Sequence, residues 1–417
     1  MNEQPIAETA AGQREELPGL YVHIPFCIRK CGYCGFYSIT DRSQIPPFLA
    51  ALKREAEFRR GWAAAFDTLY IGGGTPSSLP AADIEGLISH LRKTFTIEDD
   101  AEVTFEANPG DITADLLASL SRAGVNRINL GVQSFDDTSL ALLGRRHSAR
   151  QAMDAFRQAR DAGFENIGLD LIYGLPSSPV AENAAAGVAG EIKPTSLSAG
   201  VATSRSADRN FAAWLATLER AVSLAPEHLS CYQLTLEEKT PLAERCRSRE
   251  LVLPGESRQA DYFLGTAQIL EERGYLHYEV SNFARPGRQS RHNNKYWNHV
   301  PYLGLGPAAH SFAGRERSWN HSDLDRYLGD LNSGREPVAA RETLSDEQLR
   351  LEALFLGFRT RRGICLERFR TRYGRDLPAD KGEVIQRLST AGILEIRDGY
   401  LRPTRTGMAV ADSLALI

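Results

Sequence analysis

Three cysteines stand close together near the start of the chain, at Cys27, Cys31 and Cys34, in the pattern Cys-x3-Cys-x2-Cys. Iron–sulfur clusters are held by cysteine thiolates, and a short run of this kind lets one loop surround a [4Fe-4S] cluster. Three thiolates for four irons leave one iron without a protein ligand, which a chemically active cluster needs. The spacing therefore predicts a [4Fe-4S] cluster with one open iron.

A structural zinc site is the alternative for the same three cysteines. Zinc takes four nitrogen or sulfur ligands in a closed tetrahedron, and His23 could complete such a set. However, His23 lies in the apolar run before the loop, and no second Cys-x2-Cys follows. The remaining cysteines, Cys231, Cys246 and Cys365, are scattered, so six cysteines in 417 residues make no disulfide framework. The cluster is favoured, and zinc remains open.

The elements that must position this loop alternate along the chain. An apolar, β-prone run precedes the first cysteine, and further strands follow it, separated by helices. The later strands are predicted at 68–71, 102–109, 127–134, 166–174 and 228–235, and the helices at 48–60, 81–94, 113–123, 137–143, 149–162 and 209–223. Such alternation predicts a parallel sheet with right-handed crossovers. The predicted fold is α/β, a partial (β/α)6 version of the eight-unit TIM barrel.

Polar residues and glycines follow the ends of successive predicted strands. Gly72–Gly74 ends the second strand, and Glu106, Gln133 and Asp170 stand at the next three ends. Functional groups of such barrels lie at the carboxyl ends of the strands. A glycine turn also lets a ligand approach the main chain closely, because glycine has no Cβ. Each residue alone would suit a cap or a polar core position, but their succession predicts one shared site at the barrel mouth.

The sequence divides the chain into four predicted parts. They are a flexible N-terminal segment at 1–19, the barrel at 20–255, an α/β extension at 256–344 and a winged-helix-like C-terminal domain at 345–417. Within the barrel, residues 177–208 are rich in Ala, Ser and Gly, which predicts a surface insertion loop.

The two C-terminal parts have their own predicted elements. Those of the extension are a helix at 256–273 and a strand at 275–283. Those of the C-terminal domain are helices at 345–357, 364–373 and 381–391, and a hairpin whose turn is Asp398–Gly399. Winged units often bind DNA, but no recognition helix is evident here and the fold alone does not establish that role.

Charge and hydrophobicity exclude several classes of protein. The formal net charge is −4, so nucleic-acid binding is not expected. No apolar run reaches the eighteen or more residues of a transmembrane segment. Residues 1–18 are polar and acidic, unlike a secretory signal. We therefore expect a cytoplasmic protein.

The cysteine motif, with an aromatic residue before its last cysteine and with Gly72–Pro76 behind it, resembles the radical S-adenosylmethionine (SAM) superfamily. More narrowly, four segments and the winged C-terminal part resemble the oxygen-independent coproporphyrinogen III oxidase family. The segments are 21–26, 106–109, 131–135 and 170–176. The resemblance runs from about Leu20 to the C-terminus, interrupted mainly at 177–208. It implies that the open iron would chelate SAM and that an electron through the cluster would generate a 5′-deoxyadenosyl radical.

The resemblance also implies two nucleotide sites. The first would be lined by Tyr21, Tyr33, Gly73, Gly74, Thr75 and Glu106. Gln133, Arg145 and Asp170 match positions that hold a second SAM in the oxidase. The carboxylates suit ammonium or ribose hydroxyl groups, and the guanidinium suits a carboxylate.

Two branches of this family differ near the cysteines. The oxidase has a further cysteine two residues after the third, where this chain has Phe36. The heme-chaperone branch lacks that cysteine and has a His-Asn-x-x-Tyr-Trp motif, intact here at 292–297. The residues alone favour a satisfied core histidine at His292. The resemblance instead implies heme contacts from His292, Asn293, Tyr296, Trp297 and His310. His310 and His299 are rivals of His292 as the ligand of the heme iron.

The function predicted from the sequence is that of a radical SAM heme chaperone. It would carry heme as cargo and deliver it to acceptor hemoproteins such as respiratory enzymes, and a homodimer is a candidate assembly. The alternative is oxidative decarboxylation of coproporphyrinogen III to protoporphyrinogen IX. A third class is a zinc-stabilised regulator acting through the C-terminal domain. Whether SAM is cleaved in turnover, and so whether the protein is an enzyme, stays open.

Overall fold

A computed structural model describes residues 16–178 and 209–417. The predicted N-terminal segment lies outside these ranges up to residue 15, as does the predicted insertion loop from residue 179. Of that loop, Ser177 is described, and it forms an isolated antiparallel bridge with Val252. Within the two ranges, none of the helices has the length and apolar character that crossing a membrane requires.

Six parallel strands form the centre of the molecule and confirm the partial barrel. They are β1 (Gly19–Ile24), β2 (Phe66–Gly73), β3 (Ile97–Ala107), β4 (Arg127–Gln133), β5 (Ile167–Tyr173) and β6 (His228–Gln233). They are neighbours in chain order, and each pair is parallel. The helices between them are α1 (Ile45–Phe58), α2 (Ala81–Thr94), α3 (Ala114–Arg122), α4 (Asp137–Leu142), α5 (Ala149–Asp161) and α6 (Arg209–Ser223).

The two faces of the barrel strands differ in character, because side chains alternate along a strand. In β4, Ile128 and Leu130 belong to the main apolar core, with 0% of each exposed. Arg127 and Asn129 alternate with them and are also buried, and the Asn129 amide donates to Asp170 of β5 at 2.6 Å. One face of the sheet therefore packs against helices, whereas the other lines a polar barrel interior.

The extension lengthens the sheet on both sides of the barrel. α7 (Pro241–Arg247) follows β6 and still belongs to the barrel range. The elements of the extension are α8 (Glu256–Glu272), β7 (Leu276–Glu279), β8 (Asn282–Ala284), α9 (Arg291–Trp297), β9 (Tyr302–Leu305), β10 (His310–Ala313), β11 (Glu316–Asn320), α10 (Leu324–Asn332) and β12 (Val338–Thr343). β9 pairs in parallel with β1, and β10 to β12 continue from it as antiparallel strands. β8 pairs antiparallel with β6.

The single strand predicted at 275–283 is wrong. The segment is a hairpin, because β8 turns back to pair with both β6 and β7. Val280 and Ser281 lie between the two strands. A run of apolar and aromatic residues did not reveal this short turn.

The C-terminal part has a separate apolar core, which includes Phe358, Phe369 and Leu401. Its elements are α11 (Asp346–Phe358), β13 (Ile364–Cys365), α12 (Leu366–Tyr373), α13 (Leu377–Thr390), β14 (Leu394–Arg397), β15 (Tyr400–Pro403), α14 (Arg405–Met408) and α15 (Ala411–Leu414). The hairpin turn occurs at Asp398 and Gly399, both with positive φ, as a type I′ turn requires. The helix predicted at 364–373 starts later, because Ile364 and Cys365 pair with β15.

Candidate functional site

The cysteine loop leaves the carboxyl end of β1 and is closed at its base by the main chain. Cys27 donates its N–H to Ile39 at 2.9 Å, and Ile39 donates to Pro25 at 2.7 Å. Cys27 is buried, while Cys31 and Cys34 are partly exposed. Burial raises the pKa of the Cys34 thiol, and the charges of the other two sulfurs raise it further. The three sulfurs therefore act on one another within a single loop.

The glycine turn after β2 lies directly against this loop. Gly74 donates to Ile24 and Thr75 donates to Phe26, each at 2.8 Å. A Cβ at Gly74 would lie 2.8 Å from the Phe26 carbonyl oxygen and 3.1 Å from Cys27 Sγ, so only glycine fits. The Thr75 hydroxyl lies 3.3 Å from Cys27 Sγ. The glycine turn and Cys27 thus form one continuous surface, which we call the glycine cradle.

Glu106 at the end of β3 reaches this glycine turn. Its carboxylate accepts hydrogen bonds from the Tyr70 hydroxyl at 2.6 Å and from Gly73 N–H at 3.3 Å. Removal from water raises the pKa of Glu106 to about 7. The ring of Tyr21 lies 6.1 Å from that of Tyr70, and its hydroxyl lies 3.1 Å from His23 Nδ1. Tyr70 was missed by the sequence analysis, although it stands two residues before the glycines.

Two further predicted residues of the mouth are unusual, Gln133 in its backbone conformation and Asp170 in its hydrogen bonding. Gln133 is a non-glycine residue with φ of 68°, a strained conformation that clusters at functional sites. Asp170 accepts from Asn129 through Oδ2, while its buried Oδ1 has no hydrogen-bond partner. Desolvation raises the pKa of Asp170. The Oδ1 atom is thus available to accept a hydrogen bond from a bound polar group.

Arg145 joins the cysteine loop to the end of β4. Its Nη2 donates to the Gly131 carbonyl at 2.6 Å, and its Nη1 lies 3.4 Å from Cys31 Sγ. Arg29 of the cysteine loop donates back to the carbonyl oxygens of Gly144 and Arg145. Of the predicted nucleotide residues, Gly74 and Thr75 therefore adjoin Cys27, and Arg145 adjoins Cys31.

The donor set fits a [4Fe-4S] cluster. Three thiols on one closed loop, a glycine cradle and the unpartnered Asp170 oxygen suit a cluster and a polar ligand beside it. Among the residues that the structure describes, no three His, Cys, Asp or Glu side chains already surround a single metal position. The fit therefore rests on the sulfur donors and the shape of the loop.

The predicted heme residues of α9 lie elsewhere, at the opposite end of the barrel strands. The first turn of α9 is held by Glu102, whose carboxylate accepts from the N–H groups of Arg291 and His292, each at 3.0 Å. Lys295 forms an ion pair with Asp67 at 2.6 Å. Asp67 is the second residue of β2, and Glu102 of β3 pairs with the adjacent Thr68, so α9 packs against the end of β2 that lies opposite the glycine turn.

Both ring nitrogens of His292 are engaged in hydrogen bonds with neighbouring side chains. Nδ1 lies 2.8 Å from the Thr68 hydroxyl, and Nε2 lies 2.9 Å from the Tyr296 hydroxyl. The residue is 1% exposed. Burial, with the charges of Lys295 and Arg127, lowers the pKa of His292 to about 3. In this arrangement His292 is a neutral core residue whose nitrogens are already engaged.

The other residues of the motif, and the rival His299, also make packing contacts. Asn293 donates its N–H to Ser290 Oγ, so it belongs to the helix cap. The guanidinium of Arg359 lies 5.1 Å from the ring centroid of Trp297. His299 lies 3.0 Å from the Tyr373 hydroxyl and 3.2 Å from Glu352. These contacts join α9 to the C-terminal part.

His310 differs from every other histidine of the chain. All nine histidines fall inside the described ranges. Among them, only the His310 ring forms neither a hydrogen bond nor an ion pair with another described residue. It is exposed on β10 and stacks on Trp319 of β11, with ring centroids 5.8 Å apart. Trp319 was missed from the sequence, although the glycine between the two strands could have indicated a hairpin that sets the two rings opposite each other.

Comparison with known proteins defines the class. The model of the radical SAM superfamily matches residues 21–184, and that of the HemN C-terminal domain matches 344–410. Among solved structures, coproporphyrinogen III oxidase (HemN) from Escherichia coli, described as a radical SAM enzyme, superposes with a TM-score of 0.77 at 23% identity. The match covers 96% of this chain and 90% of that one. It establishes the fold, which is that of a radical SAM protein.

Curated relatives define the family. The heme chaperone HemW of Bacillus subtilis is 31% identical over 94% of this chain and 97% of its own length. The heme chaperone HemW of Lactococcus lactis is 34% identical over 90% of both chains. The chain belongs to the HemW family of radical SAM proteins.

Proposed function

We propose that this protein is a radical SAM heme chaperone, which binds heme and transfers it to acceptor hemoproteins such as respiratory enzymes. Family membership supports the heme cargo, because the Bacillus subtilis and Lactococcus lactis relatives, which match 94% and 90% of this chain, are named heme chaperones. We also expect a cytoplasmic location, and a homodimer remains a candidate assembly.

We propose that the barrel mouth holds the cofactors. Cys27, Cys31 and Cys34 would ligate a [4Fe-4S] cluster, which together with SAM supplies radical chemistry when bound. The main chain at Gly73 and Gly74 allows close approach of a nucleotide. Tyr21, Tyr33, Thr75 and Glu106 would line the same site.

A second nucleotide would meet the other three mouth residues, Gln133, Arg145 and Asp170. The unpartnered Oδ1 of Asp170 is suited to accept from a ribose hydroxyl or an ammonium group. With its carboxyl pKa near 7, Glu106 is suited either to accept or to donate a hydrogen bond near neutral pH.

The observation that carries the heme proposal is the unbonded ring of His310 beside Trp319. A histidine that ligates heme iron must offer a neutral imidazole nitrogen with room for the iron. Partial desolvation and the charge of Arg317 lower the pKa of His310, so its ring stays neutral below the ordinary histidine pKa. Ligation at His292 would first require breaking a hydrogen bond to Thr68 or Tyr296.

Heme and porphyrinogen offered together test the function. Anaerobically reconstituted protein is given heme, coproporphyrinogen III, SAM and a reductant, and then an apo-hemoprotein. We expect a Soret band on the protein that moves to the acceptor, with coproporphyrinogen III unchanged. Phe36, which is 69% exposed, occupies the position of the oxidase cysteine. Steady formation of protoporphyrinogen IX without heme transfer would overturn the proposal in favour of the oxidase.

A further inference from the structure

We infer that Arg145 sets the reduction potential of the cluster by donating a hydrogen bond to the sulfur of Cys31. The inference rests on the proposed function, in which Cys31 is a cluster ligand. It assigns Arg145 a role toward the cluster itself, in addition to any contact with a bound nucleotide.

The Arg145 side chain is fixed at two points. Nη2 donates to the Gly131 carbonyl at 2.6 Å, which aims Nη1 at Cys31 Sγ, 3.4 Å away. This distance is within the range of a hydrogen bond to sulfur. Because both contacts come from one planar guanidinium, a shift at one would disturb the other.

The main chain around Arg145 is fixed as well. Its N–H donates to the Leu140 carbonyl at 2.8 Å, and its own carbonyl accepts from Arg29. A Cβ at the preceding Gly144 would lie 3.4 Å from Gly32 N, so this segment packs directly on the cysteine loop. Arg145 is therefore held against the cysteines by residues on both sides of the contact.

A donor aimed at a cysteine sulfur stabilises the reduced cluster more than the oxidised one. Reduction adds negative charge, part of which lies on the ligand sulfurs, and hydrogen bonds to those sulfurs are among the main controls of the potential. A charged donor strengthens such a bond. Guanidinium stays protonated throughout the working pH range, so its effect does not titrate. Arg145 should thus raise the potential by a pH-independent amount.

The test is a mediated redox titration of the reconstituted protein without SAM, followed by the EPR signal of the reduced cluster. We compare wild type with Arg145→Gln, which keeps a donor but removes the charge and the planar fork, and with Arg145→Lys, which keeps the charge. Lys30→Gln is the comparison for charge without a hydrogen bond, because Lys30 is an exposed cation of the cysteine loop whose charge acts on the Cys34 thiol but which donates no hydrogen bond to a sulfur.

We expect Arg145→Gln to lower the ratio of reduced to oxidised cluster about tenfold at a fixed potential, which is about 59 mV for a one-electron couple. Arg145→Lys should lie between this variant and wild type, and Lys30→Gln, which removes an exposed charge but no hydrogen bond to sulfur, should lower the ratio much less than Arg145→Gln. An intact cluster with an unchanged potential in both Arg145 variants would overturn the inference, even if SAM affinity falls. If Arg145→Gln does not retain its cluster, the potential of Arg145→Lys alone tests the inference, and a value equal to that of wild type would overturn it. Wild-type protein without iron would instead overturn the proposed function.

Discussion

The two ends of the barrel contain similar residue types in opposite states. At the mouth, Asp170 Oδ1 and Arg145 Nε are buried without hydrogen-bond partners. At the end closed by α9, Glu102 accepts hydrogen bonds from two N–H groups of that helix, and both ring nitrogens of His292 are hydrogen-bonded. Buried polar groups without partners are costly, and proteins keep them where something else binds. Trp297 Nε1 of α9 and Arg127 Nε at the start of β4 are also buried without partners, so the difference lies in particular groups. At the mouth the Asp170 Oδ1 acceptor is free for a ligand, whereas at the α9 end both ring nitrogens of His292 are engaged.

This difference teaches that a family motif can hold structural residues. His292 stands in a motif of the heme-chaperone branch, yet its ring bonds to Thr68 and Tyr296 inside the protein. His310, with no such bonds, has the chemistry that a heme ligand needs. Mutations at the two ends should therefore abolish different properties, ligand binding at the mouth and folding stability at the α9 end.

The largest effect is expected at the mouth. Replacing Cys27, Cys31 and Cys34 together by Ala removes the thiolates, so iron per chain after anaerobic reconstitution should fall from about four to near zero. Iron and sulfide analysis measures this, with Cys246→Ala, a cysteine outside the loop, as the control. Retention of stoichiometric zinc by wild-type protein, with no sulfide, would contradict the cluster and restore the zinc alternative.

A smaller effect on stability is expected at the closed end. His292→Ala leaves a cavity and strips the Thr68 and Tyr296 hydroxyls of a buried partner, so the free energy of unfolding should fall by about 2–4 kcal/mol. Urea denaturation measures the change. His310→Ala is the control, because an exposed side chain without hydrogen bonds should change stability by less than about 0.5 kcal/mol. Equal stability of the two variants would remove the distinction between the ends.

The smallest expected effect is on the pH dependence of stability, and it comes from Glu55, a buried carboxyl outside both ends. Glu55 of α1 accepts from Gly306 N–H, the Asn320 amide and the Tyr327 hydroxyl, and so ties α1 to the extension. Burial raises the pKa of Glu55 from 4.5 to about 7. Between these values the folded state binds more protons than the unfolded state, so stability falls as the pH rises through this window.

This pH effect is at most about 3 kcal/mol, since one pKa unit corresponds to about 1.36 kcal/mol. Glu55→Gln should flatten the decline in unfolding free energy between pH 5 and 7. Glu106 has a raised pKa in the same window and contributes in the same direction, so Glu106→Gln is the paired variant. An unaltered slope in both variants would show that these carboxyls do not titrate there.

The features that could be predicted from the sequence are those formed by residues close together in the chain. The cysteine loop, the glycine turn and the strand-end residues are local patterns, and the structure gathers them at one mouth. The partners of His292 and Arg145 could not be predicted, because Thr68 and Cys31 lie 224 and 114 residues away from them in the chain. The stacking of Trp319 on His310 likewise depends on strand register.

The assignment of heme to His310 is tested most directly by a heme titration followed by the Soret band. His310→Ala is compared with His321→Ala, whose histidine lies nearby but is ion-paired with Asp330 at 3.3 Å. We predict that His310→Ala weakens heme binding at least about tenfold, while His321→Ala binds like wild type. Unchanged affinity in His310→Ala, with loss of the Soret band in folded His292→Ala, would contradict the account.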